Sequence, residues 1–112
     1  MKPTPIQSSS TIDGESSGTS DESITTQRSR LKGVFYTPSN IAGTTRVVEL
    51  KDNSSGDVLF SFWAFMTDST ENNQYPGDTV YLEAQSNGIL FPGGIKITKN
   101  VYFDKLVVLY QG

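Results

Sequence analysis

The chain has 112 residues, a formal net charge of −3 and a hydrophobic share of 35%, which is the length of one domain with a modest core. It holds no cysteine and no histidine, so disulfides and thiolate metal sites are excluded, and the usual general base, zinc ligand and neutral-pH switch are missing together. Its Lys and Arg residues are scattered rather than gathered into the basic patch nucleic acid requires, and no apolar run nears the ~20 residues that cross a bilayer.

Residues 1–29 are a different material from the rest. Between positions 7 and 26 more than half the residues are Ser or Thr, and Ile12 and Ile24 are the sole apolar ones. Such a stretch buries too little apolar surface to offset the entropy of ordering it on its own. It reads as an extended Ser/Thr-rich arm lying on another molecule, with Ile6, Ile12, Ile24, Arg28 and Arg30 as anchors; the plainer alternative is a disordered N-terminus. The first ten residues contain one lysine and no apolar core of a leader peptide, so the chain is expected to stay in the cytoplasm unless it leaves inside a larger particle.

Residues 30–112 read as the folded domain. Positions 30–36 form a first strand in which Gly33 marks a bulge or a close approach. Positions 44–52 alternate, with Arg46, Val48 and Leu50 on one face and Thr45, Val47, Glu49 and Lys51 on the other, as in a half-buried antiparallel strand. Over 58–66 both faces are apolar: Phe60, Phe62, Ala64 and Met66 on one, Leu59, Trp63 and Phe65 on the other. That strand must be covered on both sides, by its own loops or by a subunit contact made through Leu59, Trp63 and Phe65. Further strands are expected at 79–84, 89–91, 95–98 and 106–110, separated by Asn-Gly and Pro-Gly turns. No segment has helical spacing with caps. About seven short strands imply an all-β chain: a single antiparallel β-sandwich or jelly-roll-like domain with an extended N-terminal arm.

The chemistry available to such a domain is narrow. Without His or Cys no Ser-His-Asp or Cys-His nucleophile can be assembled. Asp57, Asp68, Glu71, Asp78, Glu83 and Asp104 fall at expected loops and strand ends, where solvated carboxylates are the ordinary case. The stretch 68–71 lacks the spaced pattern of a calcium loop, and no phosphate-cradling glycine motif precedes a helix. The chain is therefore expected to be no enzyme and to need no cofactor or metal. Tyr36, Trp63, Tyr75, Tyr81 and Tyr102 are candidates for a sugar-stacking platform, against the alternative that they pack in the core or at its edge.

Lys32-Gly33-Val34, Val48 to Asp52, Gly88 to Phe91, Gly93-Gly94 and Val107 to Gly112 form a series of strand and turn motifs over residues 30–112. In these the chain resembles small virion structural proteins of tailed phages, particularly phages of cyanobacteria and other aquatic bacteria. The long polar loop at 67–74 and the Ser/Thr-rich arm depart from that group. The resemblance implies a capsid decoration (cement) protein in the virion, assembled in the host cytoplasm and binding the major capsid protein or another virion protein. It would be a homo-oligomer, with a trimer favoured, and would touch neither nucleic acid nor membrane. The alternatives are a neck, tail or baseplate component, or a carbohydrate-binding module for host attachment.

Overall fold

The computed structural model describes residues 5–39, 41, 45–64, 79–84 and 87–112. Through them run β1 (Gln7–Ser8), β2 (Ile12–Asp13), β3 (Ser20–Thr25), β4 (Ser29–Pro38), β5 (Val47–Asp52), β6 (Val58–Trp63), β7 (Val80–Glu83), β8 (Ile89–Phe91), β9 (Ile95–Lys99) and β10 (Phe103–Gln111). All pairings are antiparallel. In the first sheet β10 and β4 lie side by side at the centre; β1 and β2 follow each other along the free edge of β10, and β8 and β7 along the free edge of β4. The second sheet has the order β3-β9-β5-β6. The two sheets pack as a β-sandwich, as expected, and β4 to β10 match the strands read from positions 30–112.

Each strand turns one face inward because its apolar residues alternate. Ile12, Val34, Tyr36, Leu106 and Val108 of the first sheet meet Val48, Leu50, Ile95 and Ile97 of the second in one buried cluster. The Tyr36 and Phe62 rings touch across it at 4.9 Å between centroids. Two bulges keep the long central strands in phase with this core. Leu109 lies opposite Gly33 and Tyr110 opposite Leu31, leaving Lys32 over; Phe103 lies opposite Pro38 and Lys105 opposite Thr37, leaving Asp104 over. Each extra residue shifts which side chains face inward. At the first bulge Gly33 faces outward beneath Tyr81, and a Cβ there would stand 2.8 Å from the tyrosine ring. The glycine thus meets both expectations placed on it.

The N-terminal stretch differs from the expectation. Its described part lies as strands along its own domain. β1 and β2 pair with β10, and β3 pairs with β9 along its whole length. Ser9 extends the first of these, its backbone N–H donating to the Val108 carbonyl at 2.8 Å and its hydroxyl accepting from the Val108 N–H at 2.9 Å. The segment is extended, but its strap lies on its own domain. Hydrogen bonds to two sheet edges supply what its apolar content lacks.

Asp52, buried at the end of β5, closes one end of the sandwich. Its carboxylate accepts from the backbone N–H of Gly93 at 2.7 Å, the N–H of Ser55 at 2.9 Å and the Ser54 hydroxyl at 2.9 Å. The next residue continues the tie: the Asn53 N–H donates to the Gly94 carbonyl, and its side-chain amide to Ser23 and to the Thr25 carbonyl. The Gly93 and Ser55 N–H groups foremost, helped by the serine hydroxyls, hold the Asp52 carboxyl well below the usual carboxylate range. A depressed pKa in the folded state stabilises the fold above the unfolded value of about 3.9 and ceases to do so as pH falls through the folded value. Asp52→Asn should therefore lower Tm at pH 7 and flatten the fall of Tm with acid below about pH 4. Parallel Tm-versus-pH curves for the variant and the parent would show that the clasp does not support the fold.

Candidate functional site

A sandwich of open sheets must manage its edges, since unpaired backbone groups invite another strand. Among the described residues three of the edges are blunted. β1 and β2 form an interrupted edge, and so do β7 and β8. β3 carries Asp21 and Glu22. The fourth edge, β6, runs Val-Leu-Phe-Ser-Phe-Trp, with no charge and no proline. Phe60 and Phe62 pack toward the core, while Val58 is 45%, Leu59 37% and Trp63 61% exposed. Leu59 sits at a bulge, because Leu50 faces Phe60 and Lys51 faces Val58. The structure thus brings Leu59 and Trp63 onto one exposed edge and adds Val58 to them; Phe65 lies outside the described residues.

The end of β6 is held from inside. Arg46, buried just before β5, donates from Nε to the Ala64 carbonyl at 2.9 Å, and from its terminal nitrogens to the carbonyls of Ser39 at 3.2 Å, Tyr102 at 3.1 Å and Ile41. The Arg46 carbonyl takes the Ala64 N–H at 2.8 Å, and its guanidinium lies 5.0 Å over the Tyr102 ring. Burial lowers its pKa from the ordinary arginine value, but a guanidinium starts so high that it keeps its charge at any physiological pH. The role of Arg46 in holding the end of β6 was not read from the sequence. The signal was present, since a charged residue in phase with Val48 and Leu50 points into the core and must find acceptors there.

Behind β6, on the outer face of the second sheet, a cavity of about 280 Å³ is lined by Thr19, Thr45, Val47, Glu49, Thr98, Asn100 and Tyr102. Val47 is the cross-strand neighbour of Trp63, and Glu49 lies between Ser61 and Thr98. Of the proposed sugar-stacking tyrosines, Tyr102 lines this cavity, Tyr36 is buried, and Tyr81 is exposed on the first sheet, 4.5 Å from Phe35 between ring centroids. Tyr75 lies outside the described residues.

Of the carboxylate candidates, Asp57, Glu83 and Asp104 are exposed, while Asp68, Glu71 and Asp78 fall outside the described residues. Among the described residues no group of three or more Asp or Glu could hold a metal, and no helix is long and apolar enough to cross a membrane. No family model, no curated protein and no solved structure matches the chain.

The anchors expected in the N-terminal stretch separate into two kinds. Ile6 is 57% exposed and Ile12 1%. Ile24 packs against the core cluster, Arg28 is exposed, and Arg30 is half-buried within β4. Ile12 and Ile24 hold the segment to its own domain. Ile12→Ala should consequently destabilise the isolated chain by about 2–5 kcal/mol, read from urea unfolding. A change below ~0.5 kcal/mol, the ordinary cost of a surface substitution, would mean that the segment is not part of the core.

Proposed function

We propose that the chain is a structural protein of a phage virion, a capsid decoration protein that docks on the major capsid protein lattice and stabilises the shell. The observation that carries this reading is the β6 edge. It combines an uncharged, unblunted strand with three exposed apolar side chains, Val58, Leu59 and Trp63, on a domain whose other described edges are protected. A strand of that kind gains by burial against a partner, either through side-chain contact or by strand addition. Large aromatic residues such as Trp63 carry a disproportionate share of binding energy when they enter a partner's pocket.

The motifs over residues 30–112 that resemble virion proteins of tailed phages supply the class of partner. Homo-oligomerisation, with a trimer favoured, fits a small domain that repeats over a lattice, where many weak contacts act together. The N-terminal stretch has a smaller part here than the sequence suggested. With Ile12 and Ile24 committed to the domain itself, the exposed Ile6 and Arg28 and the half-buried Arg30 remain as points of attachment.

The test is cosedimentation of the purified chain with expanded shells. The double variant Leu59→Ser, Trp63→Ser should lose affinity by roughly 30-fold or more, the scale of one hot spot, and keep Tm within a few degrees because both residues are exposed. Undiminished binding by the double variant would remove the β6 edge from the interface. A few copies per particle, in place of hundreds, would move the chain from shell to neck or tail.

A further inference from the structure

The cavity on the outer face of the second sheet has a chemistry that docking through β6 does not use. Glu49 is half-buried in its lining, and among the described residues no hydrogen bond or ion pair engages its carboxylate, nor the hydroxyls of Thr19 and Thr45. All three groups are in reach of solvent and can exchange water for the hydroxyls of a ligand. The other polar groups of the lining are already placed. The Thr98 hydroxyl donates to Asp21 at 2.8 Å, leaving its lone pairs to accept. Asn100 is buried and spends both ends of its amide on the backbone, donating to the Val47 carbonyl and accepting from the Tyr102 N–H. These bonds fix its amide as part of the wall. Val47 and the Tyr102 ring make the apolar part, and the guanidinium of Arg46 steadies that ring.

The groups nearby decide what kind of molecule fits. Lys51 and Lys96 lie 4.0 Å and 3.8 Å from the Asp21 carboxylate on the same outer face, so that face carries both signs of charge. The lining itself, an open carboxylate, threonine hydroxyls and an aromatic ring, suits an uncharged molecule with several hydroxyls and one apolar face.

We propose that this cavity binds a single neutral pyranose unit of a glycan. Glu49 accepts from two adjacent sugar hydroxyls, Thr45 and Thr19 exchange hydrogen bonds with others, and the C–H face of the ring rests on Tyr102 and Val47. The volume, about 280 Å³, stands near the ~300 Å³ lower end for ligand pockets, which suits one ring and excludes a long chain lying flat. The site goes beyond the docking reading and does not depend on it, because Trp63 is not part of its lining.

Saturation-transfer NMR on the full chain with methyl glycosides of glucose, galactose, mannose and N-acetylglucosamine tests this. At least one should receive saturation. Glu49→Gln should weaken that binding by about 10-fold or more, as expected for loss of a charge-assisted hydrogen bond, and Thr45→Val should weaken it less, both with unchanged melting. Leu59→Ser, Trp63→Ser should bind the sugar like the parent chain, so failure of the docking reading and failure of this one are separable. The proposal is overturned if none of the four glycosides receives saturation, if Glu49→Gln binds as the parent does, or if binding follows Trp63 and not Glu49.

Discussion

The sandwich depends on what happens at the two ends of β5. At one end the Arg46 guanidinium fans out to carbonyls of Ser39 and Ile41, Ala64, and Tyr102. These belong to the β4–β5 connection, the exit from β6 and the β9–β10 turn, which are three places where the chain passes from one sheet to the other. At the opposite end, Asp52 and Asn53 tie the β5–β6 hairpin to the β8–β9 turn and to the end of β3, which are again crossings between sheets. Apolar burial holds the faces together but is indifferent to small slips between them. A planar, five-donor fork and a carboxylate with three donors are not indifferent. Arginine suits the first place because its donors point in fixed directions toward separate acceptors, where a lysine ammonium would satisfy fewer of them.

Those ties explain why β6 can stay an open edge among the described residues. An edge strand carrying Val58, Leu59 and Trp63 at its surface would lower its free energy by slipping or curling to cover them. It is fixed at the start by the hairpin that Asp52 closes and at its end by Arg46, whose backbone carbonyl accepts from the Ala64 N–H and whose Nε donates to the Ala64 carbonyl. Its inner face is committed through Phe60 and Phe62. The exposed apolar edge is thus a held conformation. β3, at the other end of the same sheet, has acids in its sequence and Asp21 bound to neighbouring lysines, so it offers a second strand little to gain.

Much of the fold was legible because alternation is a local property. The inward phase of Val48 and Leu50, the two faces of the strand at 58–63, and the closely approached Gly33 followed from residue order alone. The N-terminal stretch was not legible, for a physical reason. Averaged composition treats its residues as needing burial of their own, whereas a strand at a sheet edge needs only partners for its backbone and one or two apolar side chains facing in. Ile12 and Ile24 are those side chains, and which edges they meet, β10 and β9, is set by contacts some seventy or more residues away in sequence. The cavity was hidden for the same reason. Glu49 was visible as an outward residue of β5, but Thr19, Thr98 and Tyr102 come to it only once β9 pairs with β5 and β3 with β9.

The candidate site and the core are two faces of one strand. Arg46, Val48, Leu50 and Asp52 point inward from the same backbone that presents Val47, Glu49 and Lys51 outward. Fixing the inward set therefore fixes the outward one, since side chains on a strand cannot turn independently of the pleat. The Arg46 fan also sets Tyr102 directly, by accepting contact from its ring on one side and holding its carbonyl on the other. A recognition surface made this way has little conformational freedom left to lose when a ligand arrives, which lowers the entropic cost of binding. The charged interior that a small, cysteine-free domain carries at some expense in desolvation is, on this account, what makes its outer face rigid.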